Sequence, residues 1–197
     1  MKNFFWKITL LATICVGMAG CSDKTKNTDT AQVGEIDNII IKTSGNDIVI
    51  QKTSGNNVTA SIVGYDGDLI VQKENTLLID IPTPKGGVKL SSPKTLYIGI
   101  PDSNVVSLSA TSDTGKVKIE SVNVNKISVS TQIGNITTSE LAGSVKAKTD
   151  LGKIQSSLKL SNDINDSGDG SSYDGIIGDK TESIINLYSS MGDIEMK

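Results

Sequence analysis

The sequence contains neither histidine nor arginine, so all 19 of its basic residues are lysines. That removes imidazole bases and ligands, and the guanidinium fork that clamps phosphates and carboxylates in two places. Aromatic residues are almost as scarce. Phe4, Phe5 and Trp6 stand together at the start, and beyond them there are only Tyr65, Tyr97, Tyr173 and Tyr188. Cys15 and Cys21 are the two cysteines, and the four prolines (Pro82, Pro84, Pro93, Pro101) cluster in one stretch. Proline cannot donate to a central ladder, so these positions mark loops or strand ends. No segment carries a helical period long enough to trust. At 197 residues there is room for one domain or one short repeat array, which excludes a large multidomain enzyme.

Residues 1–20 read as an export signal. Lys2 and Lys7 give a positive start, and Ile8 to Val16 (ITLLATICV) form an apolar run too short to span a bilayer. Met18-Ala19-Gly20-Cys21 resembles the lipobox of bacterial lipoprotein signals, with Met18 where Leu is usual. The alternative is an ordinary secretory cleavage that falls near a cysteine. The resemblance implies that Cys21 becomes the mature N-terminus and carries acyl chains such as diacylglycerol and palmitate. Cys15 would leave with the signal, so no disulfide could form. At about 0.8 kcal/mol per buried methylene, two chains hold a protein on a membrane surface without crossing it. Residues 21–33 (CSDKTKNTDTAQV) then read as the lipidated Cys and a flexible polar tether on the extracytoplasmic face. Without the signal, 17 lysines face 22 acids, a balance of −5. That argues against nucleic acid as a partner and against a polybasic grip on anionic lipid.

From residue 34 onward, short runs of Ile, Val, Leu, Thr and Ser alternate with polar residues and break at Gly, Asn and Asp, which predicts an all-β domain over 34–197. Four segments align on a glycine: TSDTGKVKIE at Gly115, STQIGNITTS at Gly134, KTDLGKIQSS at Gly152 and YSSMGDIEMK at Gly192. The spacings are 19, 18 and 40 residues, the last about two units. Leu108, Ile127, Val145 and Ile185 stand seven positions before the glycine, and Ala110, Val129, Ala147 and Leu187 five before. Ser112, Thr131, Thr149 and Ser189 stand three before, and Val117, Ile136, Ile154 and Ile194 two after. Inward positions thus switch parity at the glycine, which a continuous strand cannot do. The glycine is a corner. The pattern predicts a β-solenoid or β-roll with coils of about 19 residues, stacked roughly 4.8 Å apart so that Leu108, Ile127 and Val145 form a column. An antiparallel β-sandwich with recurring hairpins is the alternative. Residues 155–183 interrupt the period and read as a degenerate coil with an insertion.

That insertion holds the one candidate metal motif. Asp163, Asn165, Ser167, Asp169 and Asp174 fall at positions 1, 3, 5, 7 and 12 of a window that is similar to an EF-hand calcium loop, with Gly168 at position 6. Ser at 5, Asp at 12 and the lack of flanking helices depart from that pattern. A plain solvated turn without any cofactor is the competing reading. For catalysis, Asp102, Asp113 and Asp150 are the acids that could serve a glycoside hydrolase on a solenoid flank. Asp113 and Asp150 share a place two residues before the corner, where Gln132 and Ser190 stand in the other repeats, so turn chemistry accounts for them as well. TSGNDIVI and TSGNNVTA, around Gly45 and Gly55, lack the helix start and Lys-Ser/Thr pair of a phosphate loop and read as hairpin turns.

The repeated TS-x-G-x-I strands, LYIGIP at Leu96 to Pro101, VSTQIGNITTSELAGSVKAKTDLGKI and the closing SSMGDIEMK are similar to the "putative adhesin" family, a β-strand-repeat domain of unknown function in bacterial envelope proteins and lipoproteins. The likeness covers about residues 36–197. It implies a non-catalytic β-solenoid exposed at the cell envelope and brings no catalytic residues. The expected protein is a membrane-anchored binding or scaffolding module, in adhesion or envelope stress sensing, facing an envelope protein or wall polymer. A carbohydrate-active enzyme and a calcium-stabilised module are the alternatives. Free strand edges make self-association a further possibility.

Overall fold

The computed structural model describes residues 26–32, 36–82, 94–102, 105–179 and 182–197. The expected signal, Cys15, Cys21, Pro84 and Pro93 lie outside the described residues. The first part of the chain gives β1 (Lys26–Gln32), β2 (Asn38–Thr43), β3 (Asp47–Thr53), β4 (Asn57–Val63), β5 (Val71–Lys73), β6 (Thr76–Ile81) and β7 (Thr95–Pro101). The repeat region follows with β8 (Ser107–Thr114), β9 (Val117–Glu120), β10 (Lys126–Ile133), β11 (Ile136–Ser139), β12 (Gly143–Leu151) and β13 (Ile154–Ser156). The chain ends with β14 (Asn165–Ser167), β15 (Gly170–Ile177), β16 (Ile184–Met191) and β17 (Ile194–Met196). The fold is all-β, a β-solenoid-like stack in which each aligned repeat is one rung. A long arm lies in a nine-stranded sheet and a short arm in a facing eight-stranded sheet, with the glycine corner between them.

The predicted columns are present. Leu77, Ile39, Leu108, Ile127, Ile185 and Val145 follow one another across the nine-stranded sheet, all but fully buried. Leu96, Ile48, Val117, Ile136, Ile194 and Ile154 do the same across the other sheet. Each such side chain contributes roughly 1.5–3 kcal/mol by leaving water, and only neighbouring rungs supply the cover. Both sets belong to a single core.

The rungs do not stack in chain order, as a simple coil would. Along the stack they run β6/β7, β2/β3, β8/β9, β10/β11, β16/β17 and β12/β13. The last residues of the chain therefore fill a slot between the second and third glycine repeats, and Ile185 separates Ile127 from Val145. The segment before β16 must cross the start of β12 to reach this slot, and it does so closely. A Cβ on Gly143, whose φ is +156°, would collide with the Ser183 carbonyl.

Residues 155–183 are not a degenerate coil. β14 and β15 form an antiparallel hairpin that lies along β12 and closes one end of the nine-stranded sheet. The other end carries β5 on that sheet, with β4 and β1 on the eight-stranded one, all antiparallel. These additions cover the long parallel arms that would otherwise offer edges to other chains. Residues 26–32, expected within a flexible tether, are the edge strand β1. Asp29 accepts from the backbone N–H of Leu69 at 2.5 Å and of Ile70 at 3.3 Å, pinning the loop before β5. Nor are Gly45 and Gly55 in hairpins. The first lies in the β2–β3 corner between sheets, and the second joins β3 to β4, which have β7 between them.

The corners show why glycine recurs. Gly134, Gly152 and Gly192 have φ of +155°, +151° and +149°, and each presses against the carbonyl of the adjacent corner. Gly115 sits outside that φ range but faces the Asn46 carbonyl as closely. The buried Ser/Thr row completes the corner. Thr131 donates to the Gly115 carbonyl at 3.3 Å, Ser189 to Gly134 at 2.9 Å, Thr149 to Gly192 at 2.7 Å and Ser171 to Gly152 at 3.4 Å. Every hydroxyl in this set points the same way along the stack, so the row supplies partners for buried polar groups that an aliphatic row would leave unsatisfied.

Candidate functional site

Because inward residues stand at odd distances before each corner glycine, even distances face out. The slot filled by β16 brings three outward sets together: Ser128 and Ser130 from β10, Asn186 and Tyr188 from β16, and Lys146 and Lys148 from β12. In register, Ser130, Tyr188 and Lys148 form one outward row, and Ser128, Asn186 and Lys146 the row beside it. These side chains line a shallow hollow of about 240 Å³ on the outer face of the nine-stranded sheet.

The hollow is organised by Asp150. The Tyr188 hydroxyl donates to Asp150 Oδ2 at 2.5 Å, and Lys148 Nζ lies 2.8 Å from Asp150 Oδ1. Lys146 Nζ lies 3.4 Å from Asp174 Oδ2 on β15. The hydrogen bond from Lys148, and then that from Tyr188, hold the Asp150 carboxyl below the ordinary aspartate range. The same contact with Asp150 raises the Lys148 ammonium. All these groups are open to solvent, so their mutual contacts position one another and add little stability. The arrangement presents a fixed aromatic ring, hydroxyls, an amide and mutually compensated charges, which can hold a polar ligand. A carboxylate kept ionised is a poor general acid.

Elsewhere the sequence candidates separate. Asp113 and Asp150 share a repeat position, but Gln132 and Ser190 stand between them, three strand spacings or about 14 Å. Paired glycosidase carboxylates lie roughly 5–9.5 Å apart. Asp102 is drawn elsewhere, to Lys52 at 2.8 Å and Asn123 at 3.3 Å. In the calcium-like window, Asn165 and Ser167 lie extended on β14 and Asp174 on β15, with Gly168 (φ +60°) and Asp169 forming the two-residue turn between the strands. Asp163 lines a separate open hollow with Leu158, Leu160 and Asn162. An extended hairpin spreads these oxygens along its length instead of wrapping them around a point. Among the described residues, no three acidic side chains gather as a metal group. Among the same residues, no helix is long and apolar enough to cross a membrane.

Sequence reasoning missed the Tyr188 hollow. The outward rows are present in the repeat alignment, but which repeat lies beside which is not written there.

No curated protein matches the chain. A solved structure of a "putative cell adhesion protein" from Clostridium sporogenes shares 13% identity and a TM-score of 0.57, over 88% of this chain and 98% of that one. A "putative lipid binding protein" from Parabacteroides distasonis matches at 13% identity and a TM-score of 0.38, over 87% and 65% of the two chains. A "putative adhesin" from Bacteroides fragilis matches at 14% and 0.27, over 88% and 98%. The first of these shares the fold; the other two are too distant in backbone to add to it. The model of one family, Toastrack DUF4097, matches residues 36–197, the stack from the strand before the first corner to the closing rung, and the chain belongs to that family.

Proposed function

We propose that the protein is a non-catalytic binding module of the cell envelope, held at the extracytoplasmic face of the membrane by lipid on Cys21. The observation that carries this reading is the outer face of the nine-stranded sheet, where Tyr188, Lys148 and Asp150 fix one another into an ordered polar row. A rigid stack that displays ordered polar rows suits recognition of an extended partner, and the fold shared with the clostridial "putative cell adhesion protein" supports it. The lipobox-like Met18-Ala19-Gly20-Cys21 supports the anchor.

Crosslinking and capture from intact cells tests the reading, with a Cys21→Ala control. The native chain should stay with the membrane after a high-salt wash and crosslink to envelope material. The Cys21→Ala chain should be released. Retention of that variant would overturn the anchor, and a chain that crosslinks to nothing at the envelope would overturn the binding role.

A further inference from the structure

Pockets that enclose drug-sized ligands run to about 300–1,000 Å³. The hollow at Tyr188, at about 240 Å³, is smaller and open along the stack, so it suits one ring of a longer molecule that continues past it. Tyr188 is the only aromatic among its lining residues. Its hydroxyl is tied to Asp150, so the ring is already ordered and little side-chain freedom is lost when a ligand meets it. Around the ring stand Ser128, Ser130 and Asn186, groups that both donate and accept hydrogen bonds, as a polyhydroxylated ligand requires. The charges decide between ligand classes. Both lysines that line the hollow face carboxylates, Lys148 with Asp150 and Lys146 with Asp174. A phosphate-rich polymer would have to compete with those carboxylates for its cations, whereas an uncharged one would meet a face whose charges are already compensated.

We propose that this hollow is a subsite for one pyranose unit of a neutral polysaccharide of the cell envelope, its apolar C–H face laid on Tyr188. The proposal rests on the reading of the protein as an envelope binding module and names the ligand class of that face. The outward row through the hollow continues on the next rung with Thr111, so it runs Thr111, Ser130, Tyr188 and Lys148 across four strands. Successive members are one strand spacing apart, about 4.8 Å, comparable with the advance per sugar in an extended polysaccharide. The polymer would cross the strands at right angles, one sugar per rung, with Tyr188 under one ring and hydroxyl or ammonium groups beside its neighbours.

The test is titration of the ¹⁵N-labelled mature chain, carrying Cys21→Ala, with a neutral β-1,4-linked N-acetylglucosamine tetramer and, in parallel, with inorganic polyphosphate. Millimolar tetramer should shift the amides of Ser130, Tyr188 and Lys148 while leaving the outer face of the eight-stranded sheet unmoved. Tyr188→Ala should weaken this binding by about tenfold, and Tyr188→Phe, which keeps the ring, by no more than about threefold. Unfolding curves of both variants should match the parent, because the residue is at the surface. The proposal is overturned if the tetramer shifts nothing, if Tyr188→Ala binds as well as the parent, or if polyphosphate is the tighter ligand at these amides. Capture from intact cells separates this from the broader reading: envelope capture that survives Tyr188→Ala would leave the binding module standing and remove the saccharide subsite.

Discussion

A side chain at Gly134 would meet two obstacles at once, a φ of +155° that L residues rarely adopt and the Gly115 carbonyl in the space a Cβ needs. Two other glycines separate these effects. Gly115 faces the Asn46 carbonyl without the positive φ, and Gly55 has a φ of +111° with nothing near it. Strain of this kind costs about 1–3 kcal/mol and overpacking about the same. Gly134→Ala should therefore lose about 3 kcal/mol or more, and Gly115→Ala and Gly55→Ala about half of that each, read as urea midpoints at unchanged slope. Equal losses at all three would mean that corner crowding is not what selects glycine. The outer face has its own residue-scale test. Asp150 is held low chiefly by Lys148 and secondarily by Tyr188, so Lys148→Met should return its carboxyl titration toward the ordinary value further than Tyr188→Phe does, followed by carboxyl NMR. The sign follows from the directions. A lowered Asp150 contributes above its unfolded pKa and loses that contribution as pH falls through the folded one. A raised Lys148 contributes below its unfolded pKa and loses it as pH rises through the folded one, so the Tyr188–Asp150–Lys148 contacts are complete at neutral pH.

At the scale of the rung, β16/β17 is held on both sides by parallel partners, β10/β11 and β12/β13. Deleting residues 184–197 should strip hydrogen-exchange protection from β12, β13 and β15, while β2, β3, β8 and β9 keep theirs. Retained protection in β12 would mean that the third repeat closes the gap by pairing directly with the second. That exchange is conceivable because the repeats are equivalent: Val145, Ile185 and Ile127 stand at the same distance from their glycines, so each order of stacking fills the same columns. This equivalence also sets what the sequence could disclose. The arms, the corner glycines, the Ser/Thr row and the parity switch were legible, since each is recorded in local alternation. The order of rungs was not, and with it went the Tyr188 hollow, whose members come from three repeats that only the inserted rung makes neighbours. The nearest trace is in the connections: five residues (121–125) join adjacent rungs, whereas only three (140–142) span the slot. The hairpin over 165–177 was hidden for another reason. Its alternating oxygen-bearing residues serve an outward strand face as well as they would a metal loop.

For the whole molecule, the stack is complete only when the last residues are in place. β2 waits for β6 and β8, and β10 and β12 wait for β16, so most of the sheet is built from pairings distant in the chain. Such topologies fold in milliseconds to seconds, because loop-closure entropy precedes the contacts that offset it. The glycine repeats at 107–139 are adjacent both in sequence and in the stack, which makes them the cheapest place to begin, and β16/β17 docks on β10/β11 once that pair is formed and joins β12/β13 to it. Ile119 on β9 and Ile194 on β17 are both fully buried, so truncating either to alanine should cost about 2–5 kcal/mol. The kinetics should differ. Ile119→Ala is expected to act mainly by slowing refolding, whereas Ile194→Ala should leave refolding nearly unchanged and speed unfolding, as stopped-flow chevrons would report. A slow-refolding Ile194→Ala chain would place the closing rung inside the nucleus, and the stack would then have to assemble around its C-terminus instead of receiving it last.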